Sequence, residues 1–123
     1  MITLKNIELY LQEENNKVPI LHDINLEFED GKMYALTGPN GGGKSSLARV
    51  IMGIYKPTEG SILMNGEDIT GLSITERARK GIGYAFQHPP RFKGMQVKDM
   101  LDIAKKYSNG SKHCRSLRDI GLC

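Results

Sequence analysis

The chain has 123 residues, of which 39% are hydrophobic and 25% charged, a composition typical of one soluble globular domain and unlike that of a disordered chain. Its net charge of +3 is small, and Lys and Arg are scattered without a run of five, so we expect no nucleic-acid partner. No apolar stretch approaches the roughly eighteen residues that span a bilayer, and the amino terminus does not have the pattern of a secretion signal.

Alternating apolar residues predict an antiparallel hairpin near the amino terminus. The first strand covers residues 2–10, where the alternation is imperfect, and the second is an extended run at residues 20–28. The polar residues 12–17 are predicted to form the turn between them.

The next run, residues 33–37, is short, mostly apolar and bounded by glycines, which is typical of a strand buried on both faces. It leads into a glycine-rich loop. Beyond the loop, apolar residues recur at spacings of three and four, which predicts a helix from about Lys44 to Ile54 that Pro57 prevents from extending.

Later elements follow from local signals. Asn65-Gly66 favours a tight hairpin turn after a strand, because both residues adopt positive φ at low cost. Ser73 and Glu76 have the spacing of a capping box at the start of a short helix that ends at Lys80.

Two further elements are predicted after this helix. Residues 82–86 form an apolar run that predicts a strand, and apolar spacing predicts a helix from about Gln96 to Tyr107. Residues 108–111 are expected to end that helix.

The glycine-rich loop satisfies the pattern G-x-x-x-x-G-K-[ST] between a predicted strand and a predicted helix. Its residues are Gly38, Pro39, Asn40, Gly41, Gly42, Gly43, Lys44, Ser45 and Ser46. Glycines let backbone N–H groups converge on an anion, and the helix N-terminus adds its dipole. The pattern therefore predicts a phosphate-binding loop; the alternative is a strand-to-helix turn that only solves a packing problem.

Each polar side chain of the loop has an expected role. Lys44 should reach the β- and γ-phosphates of ATP, and the Ser45 hydroxyl should bind the Mg²⁺ that bridges them. Ser46 should bind an α-phosphate oxygen.

The loop, from Gly38-Pro39-Asn40-Gly41 to the trailing Ser46-Leu47, resembles the Walker A motif of ABC ATPases. Residues 20–26, 57–69 and 83–89 resemble the segments that flank this motif in the family. The resemblance implies an α/β fold, a P-loop NTPase core with an antiparallel β-subdomain, cut before the signature motif and the Walker B strand. Residues 1–87 would form the β-subdomain and P-loop core, and residues 88–123 the start of the helical subdomain.

Gln87 matches the Q-loop glutamine of that family. The resemblance implies that it contacts Mg²⁺ and the attacking water and couples the nucleotide to the helical subdomain, which suits an amide that both accepts and donates. The alternative is a polar residue that merely ends a strand.

Adenine recognition does not match the family cleanly. Relatives stack the base on an aromatic residue near the end of the first strand, and the matching position here is Leu11, with Tyr10 one residue early. A shift of one residue reverses the face of a strand unless the strand bulges.

Residues 85–90, followed by Lys93-Gly94-Met95, also resemble the soluble ATPase of sulfur-mobilisation iron–sulfur assembly. The partners would then be iron–sulfur scaffold proteins, and otherwise transmembrane permease subunits. The chain would be cytoplasmic, or peripheral to the membrane through its partner.

Family members hydrolyse ATP as head-to-tail dimers with a second ATPase subunit, and several parts of that machinery are absent. The chain has no Ser-Gly-Gly and no apolar run ending in Asp-Glu. The three histidines and Asp68 lie in the wrong context to replace them, and Cys114 and Cys123 lack metal-ligand spacing.

We therefore expect an ATP-binding subunit of a transporter or iron–sulfur assembly system, an ATPase when complete, whose 123 residues bind nucleotide without turning it over. One alternative is a nucleotide-binding module without hydrolysis. Another is a different P-loop NTPase or kinase, but Asn16-Lys17 lies upstream of the loop and lacks the Asp of a guanine motif.

Overall fold

A computed structural model describes residues 1–13, 16–88 and 90–107. They belong to two compact units, Met1–Ala85 and Phe86–Cys123, called here the first and second units. Among the described residues, no helix has both the length and the apolar character needed to cross a membrane.

The first unit contains a four-stranded sheet in which every pair is antiparallel. Its strands are β1 (Ile2–Glu13), β2 (Asn16–Phe28), β3 (Glu59–Met64) and β4 (Glu67–Asp68), in the order β2-β1-β3-β4. The predicted hairpin is confirmed, but residues 12–13 and 16–17, predicted as part of the turn, belong to strands, because β1 continues to Glu13 and β2 starts at Asn16. Polar side chains do not interrupt a ladder whose bonds are made by the backbone.

A bulge at Asn6 explains the imperfect alternation in β1. The register slips by one residue between Leu4 and Ile7, and Asn6 has a φ of 49°. The extra residue turns Leu4 and Ile7, three positions apart, to the same face, where both are buried. The N–H of Asn6 donates to the Asn25 side chain at 2.8 Å, so the bulge leaves no unpaired donor there.

Gly60 of β3 lies against this bulge and has a φ of 91°. A Cβ atom at this position would lie 2.3 Å from the carbonyl oxygen of Asn6 and 2.5 Å from that of Lys5. Only glycine fits here, since both the backbone angle and the space exclude a side chain.

One apolar face of the sheet forms the core together with helix α1 (Lys44–Met52). The buried apolar residues are Leu4, Ile7, Leu9, Leu21, Leu47, Val50, Ile62 and Ile69. The helix predicted from Lys44 is confirmed but ends earlier than Ile54, because Gly53 at a φ of 87° caps it with its N–H on Val50.

Two short sequence patterns form the turn and the helix cap predicted from them. Asn65 and Gly66 have φ values of 52° and 84°, as a primed hairpin turn between β3 and β4 requires. At the start of α2 (Ile74–Arg79), Ser73 and Glu76 form the reciprocal capping box, in which the Ser73 N–H donates to the Glu76 carboxylate at 2.8 Å.

The strands predicted at residues 33–37 and 82–86 are wrong. Neither segment pairs with another among the described residues, and an extended segment without a ladder partner is not a strand. Met33 is 99% exposed and Leu36 52% exposed, and Tyr34, Ala35 and Leu36 border an apolar groove of about 300 Å³ over α1 and β2.

Arg77 of α2 is 1% exposed and binds four backbone carbonyls. Its guanidinium donates to Val50 and Ile51, both at 2.8 Å, and to the carbonyls of Thr70 and Leu72. Burial lowers the pKa of Arg77. The cation thus satisfies carbonyls near the C-terminal end of α1, where a positive charge also complements the helix dipole.

The second unit contains α3 (Val97–Tyr107), which confirms the predicted helix. The N–H of Gln96 donates to the Asp99 carboxylate at 3.0 Å and thereby begins the helix. The end predicted at residues 108–111 lies outside the described residues, as do His113, Cys114 and Cys123.

Gly60→Ala and Gly66→Ala separate the two constraints on Gly60. Both introduce a side chain at a positive φ, but a Cβ at Gly66 would meet nothing within 4 Å. We expect Gly66→Ala to lower the free energy of unfolding by about 1 kcal/mol. Gly60→Ala should lower it by about 3 kcal/mol or more, because the backbone must also move. Urea unfolding followed by circular dichroism measures both, and equal losses would contradict the packing of Gly60 on the bulge.

Arg77→Met should lower the free energy of unfolding by about 3 kcal/mol, because it leaves partly buried carbonyls without a donor. Arg79→Met is the matched control, since Arg79 lies on the same helix and is exposed. Its effect should stay within about 0.5 kcal/mol. Equal midpoints of urea unfolding for the two variants would exclude the role of Arg77.

Candidate functional site

The glycine-rich loop is exposed and strongly curved. Gly38, Gly41 and Gly43 have φ values of 152°, 83° and 78°. The N–H of Gly42 donates to the Pro39 carbonyl at 3.1 Å, which closes a tight turn inside the loop. The positive φ angles explain why glycine recurs, and a backbone of this kind presents N–H groups to an anion.

The Lys44 side chain folds back over the loop. Its ammonium group donates to the carbonyl oxygens of Gly38 at 2.8 Å and Pro39 at 2.5 Å. The cation is therefore held at the start of the loop, where an anion bound by the loop would meet it.

The N-terminus of α1 is open to a ligand. Gly43 is its N-cap residue, with no side-chain capping bond, and no acidic residue lies in the first turn. Ser45, which is exposed, and Ser46, which is half-buried, place two hydroxyl groups beside the backbone N–H groups of this first turn. An uncapped helix start beside a cation is a favourable place for phosphate.

Gly43 also fixes the loop to the sheet. A Cβ atom there would lie 2.8 Å from the Ile20 carbonyl oxygen and 2.9 Å from a Leu21 methyl group. Ile20 is an extra residue in β2, because Leu9 pairs with Leu21 whereas the next residue, Tyr10, pairs with Pro19. Sequence reasoning missed this contact, although the adjacent apolar residues Ile20 and Leu21 interrupt the alternation at the start of that run.

Gln87 lies in the second unit and is exposed. Its predicted role beside the phosphate loop stays a prediction.

A carboxylate–imidazole pair lies on β1 and β2. The Nδ1 atom of His22 is 2.8 Å from Oε1 of Glu8, and the N–H of Asp23 donates to the same carboxylate at 3.0 Å. The hydrogen bond with Glu8 raises the pKa of His22, and the bond with His22 lowers the pKa of Glu8. The His22 side chain is 77% exposed, so the pair is a surface contact. Within the described ranges no cluster of three or more His, Cys, Asp and Glu residues could hold a metal ion.

Comparison with known proteins places this geometry in one family. A family model described as ABC transporter matches residues 21–120. An uncharacterized ABC transporter ATP-binding protein of Methanocaldococcus jannaschii is 46% identical over 111 residues, which are 87% of this chain and 44% of that protein. A sulfate/thiosulfate import ATP-binding protein of Mesorhizobium japonicum is 39% identical over 101 residues, covering 82% of this chain and 28% of that protein.

The fold matches as well. A dimeric ATP-binding cassette in a post-hydrolysis state, bound to ADP and Pi, superposes with a TM-score of 0.77 at 25% identity, over 94% of this chain and 52% of that one. This match confirms the predicted fold class. The chain spans less than half the length of both curated relatives. It belongs to the ABC transporter family, and within that family to the ATP-binding cassettes.

Proposed function

We propose that this chain is the nucleotide-binding part of an ABC transporter ATPase and that residues 38–46 hold the triphosphate of Mg²⁺-bound ATP. The observation that carries the proposal is the convergence of three phosphate-binding features on one loop. These are the glycines at positive φ, the uncapped start of α1, and the ammonium group of Lys44.

Each side chain has a distinct role in this proposal. Lys44 leaves its two carbonyl acceptors and meets the β- and γ-phosphates, as a mobile point charge can. The exposed Ser45 hydroxyl would supply one oxygen ligand to Mg²⁺, a hard cation that prefers oxygen ligands. The half-buried Ser46 donates to the α-phosphate. Bound Mg²⁺ neutralises charge on the triphosphate.

The whole protein would couple ATP binding and hydrolysis to a conformational change in a transmembrane permease. The relatives support this proposal, since one is named for sulfate/thiosulfate import and the solved cassette is a dimer. A second ATPase subunit would complete the site from the opposite side. In this scheme Gln87 would contact Mg²⁺ and the attacking water, and residues 88–123 would begin the helical subdomain.

A soluble iron–sulfur scaffold is the alternative partner, and the residue pattern at 85–90 favours it. The two partners differ in where they hold the ATPase. Recovery of the tagged full-length protein with membranes supports a permease, whereas recovery with a soluble protein that carries an iron–sulfur cluster supports a scaffold.

Lys44→Ala should reduce binding of Mg²⁺-ATP below detection, a loss of at least about a hundredfold, because the loop then faces the phosphates without its cation. Since Lys44 bonds only to exposed loop carbonyls, the far-UV spectrum should not change. Lys56→Ala is the control, because Lys56 is exposed and outside the loop. Isothermal titration calorimetry measures both, and unchanged affinity in Lys44→Ala would exclude the phosphate loop.

The chain of 123 residues should bind ATP without turning it over. It contains neither the Ser-Gly-Gly of the signature nor an Asp-Glu pair to supply a general base. Phosphate release at saturating Mg²⁺-ATP should therefore match the background of Lys44→Ala. Release of many equivalents of phosphate that Lys44→Ala abolishes would contradict this expectation.

A further inference from the structure

We infer that this nucleotide site recognises the triphosphate and makes no aromatic stack on the base within the first unit, so that the base adds little affinity and ATP, GTP, CTP and UTP bind similarly. The inference rests on the proposed function and extends it to the substrate class.

The position of the loop determines which part of the sheet the nucleoside contacts. Gly43, where the loop becomes α1, lies on Ile20 and Leu21 of β2. The β1–β2 hairpin continues from there, with Leu9 paired to Leu21 and then Leu11 paired to Val18. A nucleotide whose phosphates lie at the start of α1 can therefore place its ribose and base along this end of the hairpin.

The pairing also decides which side chains face the nucleotide. Leu21 faces the loop, since its methyl group lies 2.9 Å from the Cβ position of Gly43. Leu9, its partner, is buried on that face, and Leu11 is two residues further along the same strand. Leu11 and its partner Val18 therefore lie on the loop face, and both are half-buried aliphatic residues.

Tyr10 lies on the opposite face of β1, together with Glu8. The register slip beside it adds a residue to β2 and none to β1, so the alternation of β1 continues from Leu9 to Leu11. The Tyr10 hydroxyl donates to the Glu8 carboxylate, and the Tyr10 N–H donates to the Thr58 hydroxyl at 3.1 Å. The ring is thus turned away from the face that carries the phosphate loop.

The other aromatic residues of the first unit are engaged elsewhere. Phe28 and Tyr34 contact each other edge to face at 5.1 Å, and the Tyr34 hydroxyl accepts the N–H of Glu29. Tyr55 and Tyr84 both bond to Arg49, in the half of α1 that lies away from the loop.

The aliphatic surface formed by Leu11 and Val18 does not distinguish the four bases. Aromatic stacking on a base raises affinity by about tenfold or more, whereas Leu and Val offer contact area without the π-face that rewards a stacked ring. Most of the affinity should then come from the phosphates and Mg²⁺, which all nucleoside triphosphates share.

The test is competition for a fluorescent ATP analogue bound to the whole chain with Mg²⁺. ATP, GTP, CTP and UTP should give dissociation constants within about threefold of one another, and inorganic tripolyphosphate should compete within about tenfold of them. A preference above about tenfold for one base overturns the inference while leaving the proposed function intact. Failure of every triphosphate to compete, with Lys44→Ala behaving like the unaltered chain, overturns the proposed function and this inference with it.

Two single variants test whether the base contacts the surface formed by Leu11 and Val18. Leu11→Trp should tighten all four nucleotides by about fivefold to tenfold and leave tripolyphosphate unchanged, because an aromatic face then meets the base. Tyr10→Leu is the control and should change no affinity by more than about twofold. Thermal melting shows whether each variant is folded. If Leu11→Trp does not fold, the nucleotide affinities of Tyr10→Leu still test the inference. A loss above about fivefold for the nucleotides alone in Tyr10→Leu overturns the inference, as does a folded Leu11→Trp whose nucleotide affinity is unchanged.

Discussion

The position of the phosphate loop depends on one apolar contact, the packing of α1 on a single face of the antiparallel sheet. Leu47 and Val50 are the residues of α1 buried there. The sheet presents one continuous apolar face only because the bulge at Asn6 brings Leu4 and Ile7 to the same side. A backbone irregularity far along the chain from the loop therefore decides whether the helix that carries the loop has a surface to pack on.

Both ends of α1 are then fixed by contacts that complement its dipole. At the N-terminus, Gly43 packs on the Ile20 carbonyl, and the first turn stays free of side-chain caps and acidic residues. At the C-terminus, Gly53 caps the helix and the buried guanidinium of Arg77 holds two of its carbonyls. The helix thus has uncapped N–H donors at its N-terminus and satisfied carbonyl acceptors at its C-terminus. The N-terminus is the end that could accept an anion.

The sequence predicted features that are decided within a few residues and failed where a distant partner decides. The capping box at Ser73, the turn at Asn65-Gly66 and the start of α1 follow from local chemistry. The apolar run at residues 33–37 has the composition of a strand, but a strand exists only through its neighbours' hydrogen bonds. Arg77 has the pattern of a solvated helix residue, and its four carbonyl acceptors come from segments that the sequence does not show to be close.

The geometry of the glycine-rich loop was more predictable than the fold around it because its parts lie within ten consecutive residues. Lys44 is already held by the Gly38 and Pro39 carbonyls, so little side-chain freedom would remain to be lost if it bound a phosphate. Both carbonyls belong to exposed residues and can return to water once Lys44 leaves them, which keeps the cost of the exchange small. In the proposed complex, a charge-assisted bond to phosphate would replace two bonds to neutral acceptors. Since every group in this exchange lies between Gly38 and Leu47, in the first unit, the proposed binding of a triphosphate would require less of the cassette than its hydrolysis would.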